Sequence, residues 1–334
     1  MLIEVGLFTV GLILLYFGAE YLVGGSSAIA LRLGIAPLMV GLTVVAFGTS
    51  APELLVSLTA VLSGSDDISV GNIIGSNIAN IALILGLSAM FRPIEVSKRA
   101  VKREFPFMVG AALLMTLFVY TGSELVWWEG VIFLACMVFY LYYCFLSATS
   151  KSQVAAEAAA EEEALAAEGE EFDELEDIEQ PDPDANPVLD VVKMVGGMAG
   201  LAGGAHLMVT SATTIALEFG VSELVIGITV VAFGTSLPEL ATSVVAAIRD
   251  ESDISVGNVI GSNIFNIFLV LGIISVITSI AVGADALEWD IWIMVGVAIG
   301  IWPILRTGHR VSRLEGFFMF AFYCGYVAFL FLRS

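Results

Sequence analysis

The chain has 334 residues, 58% of them hydrophobic, with a mean hydropathy of +0.94. That excludes an ordinary soluble globule and indicates a polytopic helical membrane protein. The formal net charge is −21 with only 13 Lys and Arg, which speaks against nucleic acid as a partner.

Apolar runs of about 20 residues, the length that crosses hydrocarbon, begin at the N-terminus. Met-Leu-Ile-Glu-Val carries no basic segment ahead of its apolar stretch, so the first run is expected to be a retained membrane helix and not a cleaved signal peptide. The spacing predicts helices near 3–30, 36–62, 68–91, 104–121 and 126–148. Five more follow near 188–217, 222–248, 254–280, 287–305 and 314–333. Between the two groups, residues 157–184 hold 14 acidic side chains, in a segment that ends in Pro181, Pro183 and Pro187. Dense like charge and prolines favour a solvated tether over about 150–187. It lacks the spacing and Gly of a calcium-binding loop. Cys136, Cys144 and Cys324 fall in apolar runs at no metal-ligand spacing and read as packing residues.

Charge placement sets an orientation. With the N-terminus outside, the connections after spans 1, 3, 5, 7 and 9, or the helix ends beside them, carry twelve of the thirteen basic residues. These are Arg32, Arg92, Lys98, Arg99, Lys102, Arg103, Lys151, Lys193, Arg249, Arg306, Arg310 and Arg313; only Arg333 is left on the other side. The positive-inside rule therefore puts both termini outside and the acidic linker in the cytoplasm.

One stretch occurs twice. Gly41-Leu-Thr-Val-Val-Ala-Phe-Gly-Thr-Ser-Ala-Pro-Glu53 returns as Gly227-Ile-Thr-Val-Val-Ala-Phe-Gly-Thr-Ser-Leu-Pro-Glu239, a constant offset of 186 residues. Over residues 41–90 and 227–276, 30 of 50 positions are identical, Thr, Ser, Pro, Glu and Asn among them. Apolar composition alone does not explain that. The repeat divides the chain into a first five-helix unit over 1–149, the linker over 150–187, and a second unit over 188–334. Five spans per unit is odd, so the second copy enters the membrane from the opposite side. The expected fold class is all-α, ten transmembrane helices in two inverted five-helix repeats, with the binding site near the midplane.

The doubled stretch carries the chemistry. A carboxylate inside an apolar span is costly and marks an ion or substrate pathway. Pro52 and Pro238 remove a backbone hydrogen bond and clash one turn back, at Gly48 and Gly234. That is expected to break both helices and free carbonyls around Ala46–Gly48 and Ala232–Gly234. Helical spacing puts Thr49 and Ser50 on one face with Glu53, and Thr235 and Ser236 with Glu239. In the following spans, Ser76 and Asn80 share a face, as do Ser262 and Asn266. All these donors are oxygens, with no His or Cys, a set suited to hard cations such as Ca²⁺ or Na⁺. Asn77 and Asn263 read as helix-bridging residues. The Gly71/Gly75 and Gly257/Gly261 pairs read as close-packing faces. Glu20 and its counterpart His206 are assigned to local pairing or snorkelling.

Gly-Thr-Ser-x-Pro-Glu followed by Gly-Ser-Asn-x-x-Asn, twice over in ten spans, resembles the cation/calcium exchanger superfamily, and most of all its prokaryotic sodium/calcium exchangers. The resemblance implies a secondary antiporter of the cell membrane that exchanges Na⁺ for Ca²⁺ by alternating access. It implies no enzyme activity, no resident cofactor, and partners limited to the two ions and lipid, with the chain working as a monomer. It also implies four central ion sites built from Glu53 and Glu239 with Thr49, Ser50, Thr235, Ser236, Ser76, Ser262, Asn80 and Asn266 and the carbonyls of Ala46 and Ala232. Spans 1 and 6 would slide across them. Some relatives, the potassium-dependent exchangers among them, have Asp where Asn266 stands, which argues against potassium co-transport here. Proton-coupled calcium exchange is the alternative reading, and a passive cation channel a more distant one.

Overall fold

The computed structural model describes residues 2–149, 187–219, 232–283, 286–306 and 308–333. The expectations for the acidic linker and for the first ten residues of the 222–248 span lie outside the described residues. In chain order the helices are α1 (Leu2–Leu33), α2 (Pro37–Thr49), α3 (Ala51–Leu62), α4 (Asp66–Phe91), α5 (Ala100–Gly122) and α6 (Trp127–Thr149). The second group comprises α7 (Pro187–Glu218), α8 (Ala232–Thr235), α9 (Leu237–Ile248), α10 (Ser252–Ile277), α11 (Ala286–Arg306) and α12 (Arg313–Arg333). Eight helices among the described residues are long and apolar enough to cross a membrane, and α2 with α3, bent by 40°, makes a ninth.

The two long helices richest in Ser and Asn are the most buried. In α4 and α10, 83% and 78% of the apolar 18-residue stretch is buried, against 22% in α1 and 11% in α12. Seryl and asparaginyl side chains exclude α4 and α10 from a lipid-facing position, because their polar groups must find partners inside the protein. The peripheral helices instead expose large apolar side chains such as Phe17, Trp292 and Phe318.

Local backbone features recur at the 186-residue offset. Wide π-helical turns occupy Asn80–Leu85 and Asn266–Leu271, and again Ala100–Glu104 and Ala286–Asp290. Two short antiparallel ribbons tie the halves together: β1 (Ile94–Glu95) pairs with β4 (Arg310–Val311), and β2 (Glu124–Leu125) with β3 (Ile280–Ala281). Each ribbon is the offset mate of the other. Left-handed residues match as well, Ser123 (φ 56°) with His309 (φ 53°), and Gly64 (φ 78°) with Asp250 (φ 67°). Asp250 tolerates that conformation better than most residues, and its carboxylate pairs with Arg92 at 2.6 Å.

Helices α1 and α7 cross antiparallel along a glycine stripe. Gly11 meets Gly204, and Gly18 meets Gly197, backbone against backbone. Small residues permit this approach, which in lipid supplies packing that apolar burial alone does not. Arg32 joins the two helices to each other through Asp190 at 2.8 Å, and Arg249 of the α9–α10 turn fastens the pair to the remainder through Glu20. Ser27 also donates to Glu251, at 2.5 Å. Glu20 is thus occupied by a local ion pair, and His206 is exposed. Gly257 and Gly261 pack against Leu38, Leu42 and Ala46 of α2, as close-packing faces should.

Candidate ion-binding site

Both broken helices break at a serine. Ser50 (φ −84°, ψ 3°) separates α2 from α3, and Ser236 (φ −87°, ψ 4°) separates α8 from α9. Proline at the start of the second segment has no N–H to return to the preceding turn, so the ladder is interrupted at that point. The Ala46 carbonyl is only partly released: it still accepts from the Ser50 N–H at 3.0 Å, and the Thr49 hydroxyl lies 3.4 Å from it. Ala232 stands at the start of the described part of α8.

The break aims each motif at the other. The Ser50 hydroxyl donates to Glu239 Oε1 at 3.3 Å, and the Ser236 hydroxyl to Glu53 Oε1 at 3.5 Å. Ser236 also meets Ser76 at 3.3 Å, and Thr49 meets Ser262 at 3.4 Å. Of the twelve residues singled out in the sequence, Glu53, Glu239, Thr49, Ser50, Thr235, Ser236, Ser76, Ser262, Asn80, Asn266 and Ala46 are all buried; hydrogen bonds link the Glu, Ser and Thr residues of the two motifs, and Asn80 bonds to Asn263.

The donor set can be tested for a cation. Among the described residues, Glu53 Oε2, Glu239 Oε2, Asn80 Oδ1 and Asn266 Oδ1 are buried without a protein hydrogen-bond partner. Buried polar atoms in a native fold are almost always satisfied; these four are acceptors, two of them on carboxylates, although the Asn266 Nδ2 donor beside them is also without a protein partner. Their natural complement is a positive ion. No cluster of three or more His, Cys, Asp and Glu exists among the described residues. Hydroxyl and amide oxygens, abundant and uncharged, therefore make up most of the set, which favours hard, weakly held ions over transition metals.

The asparagines one turn earlier were not singled out in the sequence, yet they join the network. Asn72 accepts from Thr235 (3.2 Å) and donates to Ser57 (2.9 Å) and the Glu53 carbonyl (3.5 Å). Asn258 accepts from Thr49 (3.0 Å) and donates to Ser243 (3.0 Å) and the Glu239 carbonyl (3.3 Å). Their signal was present: all four polar residues are identical at the 186-residue offset inside apolar spans. Asn77 and Asn263 do bridge helices, donating to the Met294 and Met108 sulfurs, and Asn263 accepts from Asn80 at 3.2 Å.

A helical membrane protein with a buried, two-carboxylate oxygen site at the meeting of two broken helices belongs among the ion transporters. The chain is a member of the sodium/calcium exchanger protein family, whose profile matches residues 3–146 and 190–332. It is 38% identical over 337 residues to the CaxA protein of Alkalimonas amylolytica, covering 99% of both chains. It is 31% identical to a protein of Methanosarcina acetivorans named Sodium/calcium exchanger MaX1, covering 96% of both. Its fold matches the structure of the sodium-calcium exchanger NCX_Mj soaked with Na⁺ and Sr²⁺, with a TM-score of 0.79, 32% identity and 97% of both chains covered. The family is one of exchangers, which supports Na⁺ and Ca²⁺ as transported ions.

Proposed function

We propose that this protein exchanges Na⁺ for Ca²⁺ by alternating access, binding both ions between the two Glu-containing motifs. The single observation that carries this reading is the reciprocal bonding of Ser50 to Glu239 and Ser236 to Glu53. Each half completes the other's carboxylate, so one ion held between them is neutralised by both. Two carboxylates match one divalent ion or the first two of several monovalent ions, which is the stoichiometric logic of exchange at a shared site. Oxygen donors come from Thr49, Ser50, Ser76, Asn80 and Ala46 on one side, and from Thr235, Ser236, Ser262, Asn266 and Ala232 on the other.

The architecture behind this reading is two inverted five-helix units, 1–149 and 188–334, joined by a cytoplasmic linker with both termini outside the cell membrane. The antiparallel crossing of α1 and α7, the first helices of the two units, supports inversion. So do the offset-related π turns and ribbons. Helices α1 and α7 form the thin, glycine-packed pair best suited to slide over the buried α4–α10 centre, and one copy of the chain contains every donor.

The test is calcium-45 uptake into proteoliposomes under imposed Na⁺, K⁺ or H⁺ gradients. Uptake driven by outward Na⁺ alone is expected. Uptake driven by H⁺ would favour the proton-coupled alternative, and uptake that only follows the calcium gradient would favour a channel. Glu53→Gln and Glu239→Gln are each expected to abolish exchange in a folded protein, because a half-neutralised divalent ion in a low-dielectric site loses most of its stabilisation. Robust Na⁺-driven uptake by either variant would sink the shared site.

A further inference from the structure

We infer that Asn72 and Asn258, which lie outside the ion-donor set, are positioning residues that turn Thr235 and Thr49 into obligate cation acceptors. A threonine hydroxyl has one proton and two lone pairs, and it repels a cation if the proton points inward. The direction of that proton is decided here by chemistry one layer out. Asn258 has its amide end set beside the Glu239 carbonyl (3.3 Å), which has no proton to give, so the NH₂ must sit there. Ser243, 3.0 Å away, accepts from the same NH₂. The opposite end of Asn258 is therefore Oδ1, which can only accept, and the Thr49 hydroxyl at 3.0 Å must donate to it. The competing contact from Thr49 to the Ala46 carbonyl is longer, 3.4 Å, so that carbonyl keeps a lone pair as well.

The same logic runs in the other half with the partners exchanged. The Glu53 carbonyl (3.5 Å) and Ser57 (2.9 Å) hold the NH₂ of Asn72, and its Oδ1 takes the Thr235 proton at 3.2 Å. Both asparagines are buried, and each grips the backbone carbonyl of one ion-site glutamate while orienting a threonine of the opposite motif. The ion-facing threonine on each side is thus tuned from the other repeat.

This inference rests on the reading that Thr49 and Thr235 face the transported ions, and a double-mutant cycle separates the two. In proteoliposomes, Asn258→Leu and Asn72→Leu are expected to raise the Na⁺ and Ca²⁺ concentrations for half-maximal exchange by on the order of tenfold, the scale of one buried hydrogen bond. In a Thr49→Val background, Asn258→Leu should add less than about twofold, while in a Thr235→Val background its effect should persist in full. Asn72→Leu should show the opposite dependence. A residue that only supports the fold would give effects that multiply in all four combinations, and that result would overturn the proposal. Ser243→Ala and Ser57→Ala, which loosen the asparagines with little loss of volume, carry the same cycle if the leucine variants do not insert, with smaller effects of the same pattern. If Thr49→Val and Thr235→Val leave the ion dependence unchanged, the site reading fails and this inference falls with it. Unchanged Thr variants and multiplicative Asn effects are separate outcomes, so the two failures are distinguishable.

Discussion

Alanine at Gly197 is a sharp test of how α1 and α7 meet. A Cβ built there would lie 2.5 Å from the Leu22 nitrogen, 2.6 Å from the Gly18 oxygen and 2.9 Å from the Leu22 α-carbon. Carbon contacts are comfortable at roughly 3.5–4 Å, so the shortfall is about 1 Å. All three obstacles are backbone, so no side chain can rotate away and the helices themselves must part. Overpacking of this kind costs about 1–3 kcal/mol. It also loosens the neighbouring Gly11–Gly204 approach along the same stripe. Gly196, one residue earlier, provides the control: a Cβ there meets nothing within 4 Å. Ala at that position recovers helix propensity worth up to about 1 kcal/mol. Gly18 and Gly200 lie between the extremes, with nearest contacts of 2.8 and 3.3 Å. Thermal unfolding of the detergent-purified Ala variants should therefore rank Gly196 as most stable, then Gly200, Gly18 and Gly197. A Gly197→Ala protein that melts at or above Gly196→Ala would refute the crossing geometry.

Three further outcomes are expected. Deleting about residues 155–183 should leave Na⁺-driven exchange intact, since the segment falls outside both family-matched regions, 3–146 and 190–332. Transport lost from a correctly inserted, monodisperse deletion would mean the linker does more than connect. Wild-type exchange should be indifferent to K⁺, because Asn80 and Asn266 contribute oxygen dipoles without charge and the centre holds two carboxylates. Asn266→Asp adds a third acidic group to a buried site, where like charges repel, so the variant should take up an extra K⁺ or become sensitive to pH near neutrality. Calcium flux measured with and without K⁺ at several pH values decides both points: K⁺-dependent wild-type flux refutes the first, and a variant that matches wild type in both titrations refutes the second.

What the amino-acid sequence determined by itself was whatever depends on composition and period. Helix placement followed from apolar run length, and α1, α4, α5, α7 and α10 begin and end within a few residues of the expected spans. The repeat followed from identities at one offset, and the polar residues of the site followed from their cost in lipid. Helical spacing put Thr49 and Ser50 on one face with Glu53, but the break at Ser50 interrupts that period and the two hydroxyls bond to Asn258 and Glu239 instead. None of that information says which residue lies opposite. A repeat makes Thr49 equivalent to Thr235 but does not say that Thr49 finds Asn258 and not its own neighbour Asn72. That exchange of partners arises only when the broken helices of the two halves meet and each serine break swings its motif towards the other carboxylate. The π turns at Asn80 and Asn266 were likewise absent from any local pattern, since hydrogen-bond registers shift for reasons of packing. The glycine stripe was partly visible: Gly18 and Gly204 were matched by the offset, yet the contact pairs are Gly11 with Gly204 and Gly18 with Gly197. Equivalence under a repeat is a property of the sequence, whereas contact is decided by the axis that relates the copies, and the folded chain alone supplies that axis.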